Sequence, residues 1–356
     1  MGVKPWKSRH ELAVTLATER HLNADSIAVI EQHLQETNYF QLVNGIENLL
    51  LAHPETHPKQ FTTETFDDFL RIYKFDVRLK DEIFNLIEHF EGRLKTAIAY
   101  NFSKNHCQYL NATMQYTNKN NYYNVGLNSQ YPFRERGSQY YSICQNFDNF
   151  NLFTNHFIEK LIRNNDFIDT RFYRDVNYSN PNGVAYYNRD RHVAIPFWVA
   201  IETVDFGTLL RIMHYLKSND ARDVLADFGL GNDDNYKFLS ALDVIRSLRN
   251  ECAHGSLILR FKTPKYIKLN ANLVHDLELK PDQYGSSGNN YPAIIHLADA
   301  LKVLGSFQSL KSLRPILKAL IYQNNKYFNS TNYDLNDRIL KRMGIDSYKE
   351  LKAICV

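Results

Sequence analysis

Asp76–Ser103 reads DVRLKDEIFNLIEHFEGRLKTAIAYNFS. Leu79, Ile83, Phe84, Ile87, Phe90 and Leu94 recur in it at three- and four-residue spacing. On a helix of 3.6 residues per turn these positions gather into one apolar stripe with charged residues behind it. No proline interrupts the chain between Pro58 and Pro132. The spacing predicts a helix over 76–103. Phe66, Phe69, Leu70, Tyr73 and Phe75 carry the pattern upstream, as the same helix or a second one in series.

Working outward, SRHELAVTLATER (8–20) suggests a first helix, and Asn23-Ala24-Asp25-Ser26 a break and cap. AVIEQHLQETNYFQL follows as a second helix running into an aromatic patch, and Gly45 with LLLAHPETHPK closes this unit. Downstream, 108–141 is polar, rich in Asn and Tyr and weakly periodic, an excursion with at most short helices. FDNFNLFTNHFIEKLIRNN returns to helix; 165–194 is mixed again, with Asn180-Pro181-Asn182-Gly183 a turn signal. PFWVAIETVDFGTLLRIMHYL (196–216) is apolar on most sides, and Glu202 within it needs a partner or a polar cleft. FLSALDVIRSLRNECAHGSLILRF reads as a long helix that Gly255 ends, kinks or packs closely. The tail is helical once more. From residue 301 onward it holds ten Lys/Arg against four Asp/Glu, a phosphate-facing surface or an ordinary solvated helix face.

The 356 residues allow one large domain or two to three smaller ones, and 44% hydrophobic with 23% charged residues is the composition of a folded chain. A formal charge of +3 neither demands nor excludes a nucleic-acid partner. Cys107, Cys144, Cys252 and Cys355 form no CxxC pair, which argues against a zinc site or a disulfide framework. Cys252 reads as a small buried hydrophobe. The 23 tyrosines offer stacking platforms or simply reflect composition. No apolar run reaches membrane-spanning length and no basic-then-apolar leader opens the sequence, so the expectation is a cytoplasmic protein without a membrane partner. Neither GxGxxG nor GxxxxGK[ST] occurs. No strand-like alternation is sustained. The fold class expected is all-α, a helical bundle.

One short segment carries chemistry: Arg249-Asn250-Glu251-Cys252-Ala253-His254. On a helix Arg249 and His254 stand about 140° apart, while Asn250 and His254, four residues apart, share a face. Asn250 is thus placed to hydrogen-bond the imidazole and fix its tautomer. Doubled by a two-fold axis, the trio makes a pocket of two imidazoles and two guanidiniums, and a homodimer supplies that axis. Arginine grips a phosphodiester with forked hydrogen bonds. One imidazole can take the proton of an RNA 2′-hydroxyl and the other can protonate the leaving 5′-oxygen. No metal ion or cofactor is required, and DNA lacks the attacking hydroxyl. By spacing alone the motif is weak: the 20 arginines and 13 histidines give roughly 0.7 such pairs by chance.

The surrounding residues add weight. LRNECAHGS resembles the LRN-x-CAH-x-S signature of the Abi-like abortive-infection family, whose members carry a HEPN-type domain. IPFWVAIETVDFGTLLRI is similar to its P-x-W-x-x-x-E-x-x-x-F-G-x-L segment. YKFDVRLK, IEHFEGRLKTAIAY and NYFQLVNG resemble three further family pieces, and MGIDSYKEL matches a closing segment loosely. The resemblance runs from residue 38 to 351. It implies an all-α, HEPN-like helical bundle with an N-terminal helical segment (1–60) packed on a helical domain (61–356), which has inserted loops at about 108–147 and 165–194. It also implies a bacterial phage-defence protein acting as a metal-independent endoribonuclease across a homodimer, with RNA as substrate and a small structured RNA as a restraining partner. A non-catalytic RNA binder and a protein-only sensor are the alternatives. Carried onto this chain, Arg249 and His254 are the motif pair and Asn250 the polar neighbour. Glu202, Asp76 and Glu91 fall on acidic family positions, expected to pair with arginines and brace the pocket by orienting Arg249 or Arg246. The chain departs from the family where Gly255 stands in place of a second histidine and Leu257 in place of an arginine, with Arg260 the nearest substitute. Phe40-Gln41-Leu42-Val43-Asn44 likewise contains no arginine.

Overall fold

A computed structural model describes residues 5–131, 141–163, 194–265, 267–283, 290–330 and 333–356. Helices dominate: α1 Arg9–Val14, α2 Ile27–Glu36, α3 Glu47–Leu50, α4 Phe66–His106, α5 Tyr141–Gln145, α6 Asn155–Arg163, α7 Phe197–Ala200 and α8 Phe206–Tyr215 come first. They are followed by α9 Ser218–Asp227, α10 Asn235–Ala253, α11 Ala271–Asp276, α12 Leu297–Gly305, α13 Leu313–Tyr327, α14 Leu335–Met343 and α15 Tyr348–Ile354. The chain is an all-α bundle with little strand. Among the described residues β1 Lys268–Asn270, β2 Asp282–Gln283 and β3 Asn290–Ile294 form a small antiparallel sheet in the order β1-β3-β2. Strands of two to five residues are too short to show a period of two.

Two compact units are present. The first comprises Met1–Leu86, Ser247–Thr263 and Ile295–Val356, and the second Ile87–Arg246 and Pro264–Ile294. The 41-residue α4 contributes residues to both. It starts where Thr65 N–H donates to Asp68 Oδ2 (2.8 Å) and Asp68 N–H donates to Thr65 Oγ1 (3.2 Å), a reciprocal cap. Phe66, Phe69, Ile72, Leu79 and Ile83 are buried in the first unit, and Ile87, Phe90, Leu94, Ile98 and Phe102 in the second. The predicted stripe is therefore the core face, and helix formation extends beyond both predicted ends.

In the first unit, the N-terminal stretch read as two helices is more broken. Ser8 caps α1, and its helix widens into a π-type turn over Thr15–Glu19. A second π-type turn, Phe40–Asn44, follows α2 instead of a continuation of it. Gly45 then lets the main chain approach Leu257: a Cβ there would lie 2.2 Å from Leu257 Cδ1 and 2.9 Å from the Gln41 carbonyl oxygen. Gly45→Ala is expected to lose about 1–3 kcal/mol by overpacking, read as a lower urea midpoint with an unchanged slope. The tail cations are partly consumed internally. Arg338 donates to the carbonyls of Leu49 (3.0 Å) and Leu51 (2.6 Å), closing the end of α3.

In the second unit, the Asn/Tyr-rich excursion carries its own buried cluster. Single 3-10 turns over Gln115–Thr117, Lys119–Asn121 and Val125–Leu127 are held by Tyr116, whose hydroxyl donates to Ile195 O (3.0 Å) and whose ring stacks on Phe197 at 4.6 Å. Tyr122 stacks on Phe102 at 5.0 Å, and Tyr215 donates to Ile143 O at 2.6 Å. These tyrosines are packing residues. The block 196–216 is not one helix: a 3-10 turn over Ile201–Thr203 follows α7, and Asp205 caps α8 by accepting from Thr208 N–H at 2.7 Å. The second excursion, with its Asn180–Gly183 turn, lies outside the described residues apart from Ala194.

Candidate active site

Helix α10 ends at Ala253 because Gly255 takes a left-handed backbone (φ +72°). The His254 N–H makes the last helical bond, to Asn250 O at 3.0 Å. Beyond it a short 3-10 turn, Ile258–Arg260, replaces the continued helix that was one sequence reading. The motif thus stands at a helix terminus, with Asn250 and His254 exposed and Arg249 half-buried.

The Arg249 guanidinium carbon lies 5.8 Å from the centre of the Phe84 ring. Its Nε is shielded from solvent without a hydrogen-bond partner, and among the described residues Arg249 forms no ion pair. Asn250 and His254 are joined through the main chain. The expected side-chain hydrogen bond between them is absent among the described residues, because both side chains point to solvent.

Asp76 sits on the core face of α4, fully buried, between Ile72 and Leu79. Its two carboxylate oxygens accept Ile258 N–H (3.0 Å) and Leu259 N–H (2.8 Å). It therefore clamps the turn that follows the motif. Burial pushes its pKa up to about 6, against the opposing pull of the two amides and Lys80 and with a further push from Glu251. Among the described residues no arginine pairs with it, contrary to the sequence expectation; backbone amides fill that place. Among the described residues the other acids also have lysine rather than arginine as partner. Lys95 sits 3.4 Å from Glu91 and 3.7 Å from the half-exposed Glu202, in the second unit. Arg246, in that unit too, pairs with Asp243 at 3.3 Å. So Arg249, Asn250, His254 and Asp76 belong to one unit, and Glu91, Glu202 and Arg246 to the other.

Sequence reasoning did not find Phe84 as the platform under Arg249, nor the Ile258 and Leu259 amides as partners of Asp76. One signal was available for Asp76: an acid at a stripe position of an apolar helix face. Cys252 is buried, and burial lifts its thiol pKa to about 12, which fits a packing residue rather than a nucleophile.

The family model described as Abi-like protein matches residues 32–260, a span that holds α4, α10 and the whole motif. The chain belongs to the Abi-like family. No curated protein and no solved structure matches it. The loosely matching segment at MGIDSYKEL lies beyond the family span. Among the described residues of this Abi-like protein, no group of three or more His, Cys, Asp and Glu side chains is placed to hold a metal ion. No helix among them is long and apolar enough to cross a membrane.

Proposed function

We propose that this Abi-like protein is an abortive-infection endoribonuclease with a HEPN-like domain over residues 61–356. In this reading it is a homodimer that cleaves RNA through Arg249 and His254. The observation that carries the reading is the state of these two side chains. An exposed imidazole and an arginine without an ion pair among the described residues stand at the open end of α10, inside the family span.

The chemistry balances without a further reactant. Arg249 binds the non-bridging oxygens of the scissile phosphate and offsets the charge that builds on them. One His254 takes the 2′-hydroxyl proton as the 2′-oxygen bonds to phosphorus. The P–O5′ bond breaks, and the partner subunit's His254 delivers a proton to the departing oxygen. The products end in a 2′,3′-cyclic phosphate and a 5′-hydroxyl. Asn250 borders the pocket as a polar contact. Asp76 acts at one remove, by fixing the turn behind His254. A small structured RNA is the restraining partner.

The test is incubation of RNA with the intact chain, Arg249→Ala and His254→Ala in the presence of a chelator, followed by analysis of product ends. Cyclic-phosphate ends produced by the parent and lost in both variants are the expected result. Cleavage that neither substitution changes refutes the site. RNA bound but never cut makes the protein a binder instead.

A further inference from the structure

The π-type turn Phe40–Asn44, the 3-10 turn Ile258–Arg260 and α14 meet in the first unit, and they bring one aromatic ring and two cations together. Phe40 is 53% exposed, an unusual degree for a ring at a packed turn. The Arg260 guanidinium carbon lies 5.5 Å from its centre. Arg342, reaching from α14, donates through Nη1 to Gly45 O at 3.0 Å, at the end of the same turn. The Gly45 close approach to Leu257 locks the two turns against each other.

We propose that Phe40, Arg260 and Arg342 form a subsite for one nucleotide of single-stranded RNA, its base on the Phe40 ring and its phosphate on the two guanidiniums. The proposal rests on the RNA reading above. Two cations within electrostatic reach of one another repel, and proteins ordinarily place a carboxylate between them. Here neither arginine has an ion-pair partner among the described residues. Burial, and then the neighbouring Arg260 charge, hold Arg342 below its ordinary pKa. A phosphate relieves the repulsion, and the open ring beside it is what a base stacks on. A carboxylate ligand would satisfy the arginines but leave the ring idle. Arg260 lies six positions beyond His254, so their Cα atoms are no more than about 22 Å apart. That keeps the subsite within a few nucleotides of the scissile bond, where it selects unpaired RNA.

The test uses the full chain with His254→Ala, so that RNA is not consumed, and a 5′-fluorescein oligouridylate read by anisotropy. Adding Phe40→Leu is expected to weaken binding roughly 5- to 150-fold. Phe40→Trp retains binding, and its added emission is quenched by RNA. Arg260→Gln lowers the slope of log affinity against log salt by about one. An oligomer of abasic residues should bind the parent and Phe40→Leu alike. Equal oligouridylate affinity in the parent and Phe40→Leu overturns the subsite and leaves the nuclease reading standing. No binding by the parent at low salt overturns both.

Discussion

Asp76→Ala is expected to lose about 2–4 kcal/mol of stability near pH 5, because it strands two buried amides at the turn behind the motif. Ile258 N–H and Leu259 N–H both end on this one carboxylate. Water cannot easily replace it, since Asp76 is fully buried among Ile72, Leu79 and Ile258. Hydrogen exchange at those two amides should accelerate in the variant far more than in α9, which belongs to the second unit. The dependence on pH has a definite sign. The Asp76 pKa is raised in the folded chain, from 3.8 to about 6. The folded state therefore holds the proton more tightly than the unfolded state. The stability this provides is complete below pH 3.8 and is lost as pH rises through 6, on the order of 3 kcal/mol in all at 1.36 kcal/mol per unit. Urea midpoints measured from pH 4 to pH 7 should fall more steeply for the parent than for Asp76→Asn, which cannot ionise. Parallel curves for the two would show that Asp76 is not the titrating group. Asp76→Asn keeps one acceptor and is expected to cost less than the alanine variant at pH 5.

These effects centre on a residue that the sequence marked only halfway. The apolar spacing along α4 made the helix and its core face legible, because 3.6-residue periodicity is written in side-chain type. Asp76 interrupts that face, so its burial was inferable. Its partners were not: amides 182 and 183 residues further along leave no trace in residue identity. The arginines expected beside the acids illustrate the same limit from the other side. Lys95 serves Glu91 by an i,i+4 contact that was readable, and reaches Glu202 only through tertiary packing. Gly255 signalled the end of α10, yet the apolar SLILRF beyond it permitted continuation; the left-handed backbone decides for termination. In 196–216, Asp205 and Thr208 have the spacing of a helix cap, but continuous apolar residues on both sides masked the break. The contacts of Phe40 with Arg260 and of Gly45 with Arg342 were beyond reach, since they join three segments distant in the chain.

His254→Ala is expected to lower RNA cleavage by about 10²–10⁴-fold, the usual contribution of a positioned acid or base. The folded state should not change, because the His254 side chain is exposed and makes no hydrogen bond among the described residues. A melting temperature equal to the parent's would show that the loss is chemical. Arg249→Lys keeps the charge and removes the fork, and should lose most of the rate even so. Subunit mixing then separates a shared site from two independent ones. If each cleavage uses one imidazole as base and the twin as acid, a dimer of parent and His254→Ala subunits lacks one of the two groups. Activity after random exchange then follows the square of the parent fraction, and equal mixing leaves about a quarter of it. Independent sites leave about half. A quarter places both imidazoles at one phosphorus. A half assigns the whole proton transfer to a single chain, in which case Asn250, exposed on the same last turn, is the next group to replace.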